Sequence, residues 1–190
     1  MIIKPVKIQG FTLMELLIAV AVLAILLSIG VGSYSSLFKK NELRGATESL
    51  YSLLTYAKSE SIKANTQIAV TFKDGDDGAW CAGLTTVSGT KDTCNCKSAA
   101  SATDSCTLVN GTDKRLVVID GGEFSKIDLD VTSMASSTIT FDNVRGMPLS
   151  AAGDVKLKTD ENDTVKVTVN AMGNVKTCTS AGSSDYASCS

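Results

Sequence analysis

The sequence predicts an α+β fold: one long N-terminal α-helix, with a β-sheet-rich head packed on its second half. Three observations predict it. An apolar run of 21 residues spans Phe11–Val31, an amphipathic stripe without proline follows it, and short β-rich runs between Gly, Asp, Asn and Ser clusters fill the rest. The 190 residues suit one domain with an appendage. Apolar residues make up 44% and charged residues 20%, a globular composition. The chain has no His, which excludes serine triads, Cys–His nucleophiles and His-ligated zinc. A formal net charge of -2 gives no basic signature for nucleic acid.

The first element is the apolar run. Residues 1–10 carry Lys4 and Lys7 and no acid, and Phe11–Val31 carries one charge, Glu15. An apolar helix of roughly 20 residues spans the hydrocarbon core of a bilayer. A signal peptide would have a shorter apolar core and a small-residue cleavage site behind it, whereas here the flank is Gly-Val-Gly-Ser-Tyr-Ser-Ser. The lysines before the run place the N-terminus in the cytoplasm and the head outside. Glu15 does not fit a plain anchor. A carboxylate inside a span costs about 2.5–3.5 kcal/mol on insertion scales and needs a partner. Were the chain cut after Gly10, the new ammonium of a neighbouring subunit could pair with it and offset that cost.

The second element is the rest of the helix. Between Tyr34 and Ala64 there is no Pro and a single Gly, Gly45. Leu43, Ala46, Leu50, Leu53, Leu54 and Ala57 fall on one helical face, which is expected to pack on β-strands. Asn65 is the expected stop. A single helix from Phe11 to Ala64 would extend about 80 Å at the usual rise. Gly30 and Gly32 are the expected flexible joint, because each glycine weakens a helix by up to about 1 kcal/mol.

The head comes last. Strands are expected at 67–72, 79–84, 106–109, 116–119, 127–129, 137–141, 155–157, 165–169 and 175–178. Asp74-Gly75-Asp76-Asp77-Gly78 reads as a hairpin loop with positive-φ glycines, and Asp160-Glu161-Asn162-Asp163 as a second loop. All six Cys lie in the head, and an even count outside the cytoplasm reads as disulfides. Cys178 and Cys189 are expected to pair and staple the tail, which is worth about 2–4 kcal/mol. Cys81, Cys94, Cys96 and Cys106 allow three pairings. Bridges that close or cross the Cys81–Cys106 segment are preferred, since a Cys94–Cys96 bond would be strained. A four-thiolate zinc site is disfavoured because paired CxxC knuckles are missing, so no metal and no cofactor is expected. A Ca²⁺ site on Asp74, Asp76 and Asp77 is likewise disfavoured against a solvated turn. Trp80 is expected to pack on a disulfide.

Gly10-Phe11-Thr12-Leu13-Met14-Glu15-Leu16-Leu17 resembles the leader junction of type IV pilins and type II secretion pseudopilins. The resemblance implies cleavage between Gly10 and Phe11 by a prepilin peptidase, N-methylation of Phe11, and an assembly role for Glu15. Many members carry a proline where this chain has Gly32. The stretch Leu53-Leu54-Thr55-Tyr56-Ala57-Lys58-Ser59-Glu60-Ser61-Ile62 is similar to the FimT/GspH branch. So are Thr140-Phe141-Asp142 with Arg145-Gly146, and Val167-Thr168-Val169-Asn170 with Gly173. The implied organisation is a leader over 1–10, a transmembrane or filament-core half over 11–31, an amphipathic half over 32–64 and a periplasmic or extracellular head over 65–190.

The implied partners are the peptidase, the major pilin, other minor pilins or pseudopilins, and the inner-membrane assembly platform. The implied function is a minor pilin of the FimT/FimU type that primes or caps a type IV pilus, with pseudopilin H of a type II secretion system as the alternative. The implied location is the bacterial inner membrane, then a pilus or pseudopilus. Some FimT-like pilins bind DNA through Gly-Arg-x-Arg, but the matching place here reads Gly173-Asn174-Val175-Lys176. From residue 65 onward there are 11 Lys and Arg against 16 Asp and Glu, a net of -5, so nucleic acid is not an expected partner. With no His, scattered acids and oxidised Cys, no enzyme is expected.

Overall fold

The structure is a computed structural model. It describes residues 10–132, 134, 136–149, 153–181 and 185–189, with backbone alone for 28–33 and 181. Residues 1–9 of the expected leader lie outside the described residues. The chain forms two compact units, Met1–Phe38 and Lys39–Ser190. The boundary falls inside the helix α1 (Leu13–Lys63), between the expected divisions at 31/32 and 64/65.

Helix α1 ends where Asn65 takes a left-handed conformation (φ 51°). Thr66 N–H then donates to Ser61 O (3.1 Å) and Asn65 N–H to Ile62 O (3.2 Å), which caps the carbonyls the helix leaves open. All six residues of the predicted stripe, Leu43 to Ala57, are buried. They form one core with Ile68, Val70, Phe72, Leu84, Ile139 and the inward residues of the later strands.

The head holds two four-stranded antiparallel sheets and a hairpin. The strands are β1 (Ile68–Lys73), β2 (Cys81–Thr86), β3 (Thr107–Asn110), β4 (Asp113–Leu116), β5 (Val118–Asp120), β6 (Asp128–Asp130), β7 (Thr138–Phe141), β8 (Gly153–Lys158), β9 (Thr164–Val169) and β10 (Val175–Ala181). The first sheet runs β5-β2-β1-β7 and the second β10-β9-β8-β6, while β3 pairs with β4. In β8 and β9 buried residues alternate with half-exposed ones, the mark of a sheet packed on one face. In β1 and β2 nearly every residue is buried. The two sheets meet at the β1–β2 loop, where Gly75 exchanges hydrogen bonds with Leu129 (3.2 and 3.0 Å).

Three expectations need correction. The strand expected at 116–119 is two strands, because Val117 changes partners: its N–H donates to Cys106 O and its carbonyl accepts from Leu84 N–H. In the β1–β2 loop the positive φ angles belong to Asp77 (48°) and Gly78 (76°), not to both glycines. Trp80 is fully buried, but it stacks on Phe124 (5.9 Å between centroids) and donates from Nε1 to Ile127 O (2.8 Å). It belongs to the main core, whereas its neighbour Cys81 faces the disulfide cluster, as strand alternation requires.

Candidate functional site

In the first unit every described side chain from Phe11 to Leu27 is exposed. Phe11 is 84% exposed, and Gly10, Phe11 and Thr12 precede the first helical turn. Among the described residues no helix is long and apolar enough to cross a membrane. The predicted run extends into 28–33, whose side chains are not among them. The backbone of Gly30 and Gly32 is helical, inside α1.

Glu15 does something the charge argument did not anticipate. Its backbone N–H donates to Thr12 Oγ1 (3.3 Å), and its carboxylate accepts from Thr12 N–H (3.5 Å). Thr12-Leu13-Met14-Glu15 is therefore a capping box, with Thr at the N-cap and Glu three positions on. The Ser/Thr-x-x-Glu signature was present in the sequence and could have been read there.

The second unit is braced at three places. The first is its own start. Lys39 Nζ reaches Asp160 and Glu161 at the β8–β9 turn, 2.9 Å from each. The hydrogen bonds Lys39 donates to Asp160 and then Glu161 raise its pKa, and the bond to Asp160 lowers that of Asp160. The second brace is made of the disulfides. Cys81 pairs with Cys96 (Cα–Cα 5.9 Å) and Cys94 with Cys106 (5.0 Å), a crossed arrangement. These bridges pack on the second face of the first sheet, where Gly83 leaves room for them. A Cβ on Gly83 would stand 2.5 Å from Cys106 Sγ. Thr71 Oγ1, on the same face, accepts from Cys94 N–H (3.1 Å). Cys178 pairs with Cys189 (5.0 Å), and the tail runs beside β10: Thr179 N–H donates to Ala187 O (2.8 Å) and Cys189 N–H to Thr179 O (2.9 Å). Tyr186 of the tail packs on the core, and burial pushes its phenol pKa up.

The third brace joins the two late motifs. After β7, Asp142 accepts from Met147 N–H (2.7 Å) and Arg145 N–H (3.2 Å). The Met147 bond first, then further backbone N–H groups, hold its carboxyl below the usual range. After β9, Asn170 Oδ1 accepts from Met172 N–H (3.0 Å) and Asn174 N–H (2.9 Å). Each turn carries a left-handed glycine, Gly146 (φ 61°) and Gly173 (φ 72°). They meet backbone to backbone: a Cβ on Gly173 would overlap Gly146 O. Lys58 lies over both and donates to Met172 O (3.4 Å). The turns leave Val144 and Met172 each 71% exposed. Gly173, Asn174 and Val175 line a small cleft with Tyr51, Thr55 and Lys58. The spaced Asp-x-x-Arg-Gly and Asn-x-x-Gly motifs are thus two capped turns that dock on each other.

Among the described residues no group of three or more His, Cys, Asp or Glu could hold a metal ion. In the β1–β2 loop the Asp77 backbone N–H donates to Asp128 Oδ1 of β6 (2.8 Å).

Comparison with known proteins bears on the same elements. The family model of type II transport protein GspH matches residues 46–173, and that of the prokaryotic N-terminal methylation motif matches residues 6–31. None of the curated proteins matches the chain. Among solved structures the chain is similar to the type IV minor pilin FimU of Pseudomonas aeruginosa, in two crystal forms. The P21 form has 17% identity, covers 77% of this chain and 96% of that one, and gives a TM-score of 0.50. The P65 form has 16% identity, covers 75% and 98%, and gives 0.48. The first likeness shows the pilin fold, a long helix followed by an antiparallel head. Pilin and pseudopilin families are structural, and their methylation motif implies a membrane-anchored component of a pilus or pseudopilus. The GspH match spans most of the chain and the methylation motif stands at the head of the helix, so the chain belongs to the type II transport protein GspH family, a type IV pilin-like subunit of the minor pilin or pseudopilin kind.

Proposed function

We propose that the chain is a minor pilin that primes or caps a type IV pilus at its tip, after cleavage between Gly10 and Phe11 and methylation of Phe11. The observation that carries this reading is the uncovered apolar half of α1 with a lone carboxylate in it. No described residue buries Phe11 to Leu27, which leaves that surface to lipid and then to neighbouring subunits. The cytoplasmic leader, the inner-membrane span, the flexible joint at Gly30–Gly32 and the partners named above belong to the same proposal. The three bridges and the strapped tail support exposure on a surface fibre. The second reading, a pseudopilin of a type II secretion machine, is favoured by the description of the matching family.

The first experiment measures the major pilin sheared from a strain lacking the gene. Lost pili restored by complementation support the minor-pilin reading. Normal pili with failed exoprotein export support the second reading and overturn the first.

Glu15 provides a sharper test, because the capping box and subunit pairing make different demands. Glu15→Gln keeps an acceptor for Thr12 N–H and removes the charge, whereas Glu15→Ala removes both. Pairing with a neighbour's ammonium requires that both variants insert and are cleaved but are incorporated poorly. Wild-type incorporation of Glu15→Gln with loss in Glu15→Ala would reduce Glu15 to a capping residue.

A further inference from the structure

The tail covers the outer edge of the second sheet only in part. β10 is an edge strand, paired with β9 alone. At the start of that pair Asn170 N–H donates to Asn174 O (3.1 Å), so Asn174 bonds toward β9. Further along, Thr179 turns both main-chain groups away from β9, to Ala187 and Cys189 of the tail. Main-chain groups alternate sides along a strand, so Lys176 and Cys178 bond toward β9 while Val175 and Thr177 turn outward with Thr179. The tail meets Thr179. The outward N–H and C=O groups of Val175 and Thr177 have no partner among the described residues.

Donors and acceptors spaced along a strand are matched by another extended main chain, and the molecule already uses one, since Thr179 bridges Ser188. On the core side of the open stretch, Val175 lines the cleft with Tyr51, Thr55 and Lys58. Its volume of about 180 Å³ is below that of most small-molecule sites and takes one aliphatic side chain. On the opposite face Lys176 is exposed and has no carboxylate partner among the described residues. At the cleft, Lys58 Nζ has a carbonyl for its partner, Met172 O at 3.4 Å. A strand laid along this edge would send alternate side chains into the cleft and beside Lys176. We propose that the open part of β10 accepts an extended segment of a neighbouring subunit, with an aliphatic side chain in the cleft and a carboxylate beside Lys176. A lysine on an edge keeps unselected strands away, and here it also admits an acidic one. The choice of neighbour rests on the reading of the chain as an assembly subunit: heads tethered by packed helices meet at high effective concentration, so a weak strand pairing suffices.

The test uses the full chain in a zwitterionic detergent and reads amide hydrogen exchange. In the free protein the amides of Val175 and Thr177 are expected to exchange faster than those of Lys176 and Cys178. The probe is the capped peptide acetyl-Thr-Val-Asp-Val-Asp-Val-amide. At about 3 mM it is expected to slow both amides about tenfold, the protection given by a dissociation constant of about 0.3 mM. The same peptide with Lys for Asp is expected to bind about tenfold more weakly, and Lys176→Glu to reverse the preference. A peptide N-methylated at alternate residues keeps the charges and loses the ladder donors, and it is expected not to bind. That comparison needs no variant of the protein. Slow exchange of Val175 and Thr177 before any peptide is added, or no protection at about 3 mM, would overturn the proposal. Equal binding by the N-methylated peptide would also overturn it, showing a patch for any polyanion. In the assembled fibre a photo-crosslinker at Thr177 is expected to join an extended segment of another subunit, and adducts with lipid or DNA alone, or none, would overturn the choice of neighbour. The peptide result does not depend on which machine the subunit serves, so its failure stands apart from the pilus and export assays.

Discussion

The first sheet is covered on both faces and the second on one. In β1 and β2, Ile68, Val70, Phe72, Ala82 and Leu84 meet the helix, while Ala69, Thr71, Cys81, Gly83 and Thr85 are also buried, under the bridged segment that leads to β3. In β8 and β9 the alternate residues Lys156, Lys158, Lys166 and Thr168 stay half-exposed. The difference shows what the first pair of disulfides is for. A segment too polar to form a layer by apolar burial is fixed as one covalently. The face beneath it then carries small residues, because sulfur atoms rather than large side chains fill the space.

The largest effect that would break this comparison is at Gly83. Gly83→Val drives a branched side chain into the Cys94–Cys106 bridge and is expected to cost about 3 kcal/mol or more, or to prevent folding. Lys166→Val on the open face of the second sheet is expected to change stability by less than about 0.5 kcal/mol. Thermal melts of the two variants compare them directly, and equal losses would mean that the faces do not differ.

Next come the bridges. Replacing Cys81 and Cys96 together by Ala is expected to cost about 3 kcal/mol and to speed amide exchange along β1 and β2, whose far face they cover. Replacing Cys178 and Cys189 is expected to cost about 2 kcal/mol, with faster exchange confined to β10 and the tail. Fast exchange in β1 after the second change would contradict the assignment of the first two bridges to the first sheet and the third to the second.

The smallest expected effect is that of pH. Asp120, Asp130, Asp142 and Asp160 all have lowered pKa values: Asp120 by the Gly122 N–H and Lys97, Asp130 by Thr132, Asp142 by Met147 and Asp160 by Lys39. A carboxyl lowered in the folded state adds stability above its unfolded value, and that stability is lost as pH falls through the folded one. Lys39 is raised, so its contribution holds below its unfolded value and is lost only at more alkaline pH. Stability is therefore expected to be flat from about pH 5 to 9 and to fall below about pH 4. Asp142→Asn, which keeps an acceptor for Met147 N–H, should flatten part of the acid fall in urea titrations at several pH values.

The same contrast governs what could be read from the sequence. The helix stripe was legible because burial on one side leaves a period, and β8 and β9 were legible for the same reason. β4 was not, since Asp113, Lys114, Arg115 and Leu116 are all exposed and carry no alternation. The covered face of the first sheet reads as Ala, Thr, Cys and Gly, a pattern that only a tertiary neighbour explains. Cysteine pairing is a property of that neighbour too, so three arrangements stayed open until the fold brought Cys94 to Thr71. Glu15 was singled out for its charge while its local bonds to Thr12 went unread.

The tail running beside β10 has a consequence for how the molecule meets others of its kind. An edge strand offers unpaired amides and carbonyls to any passing chain. Here Thr179 spends both of its groups on Ala187 and Cys189 of the same molecule, and the Cys178–Cys189 bond keeps them in place. The tail thus covers that part of the edge and closes it to strangers. In reducing solution the expected first sign of losing that bond is clumping of otherwise folded heads, before any loss of helix.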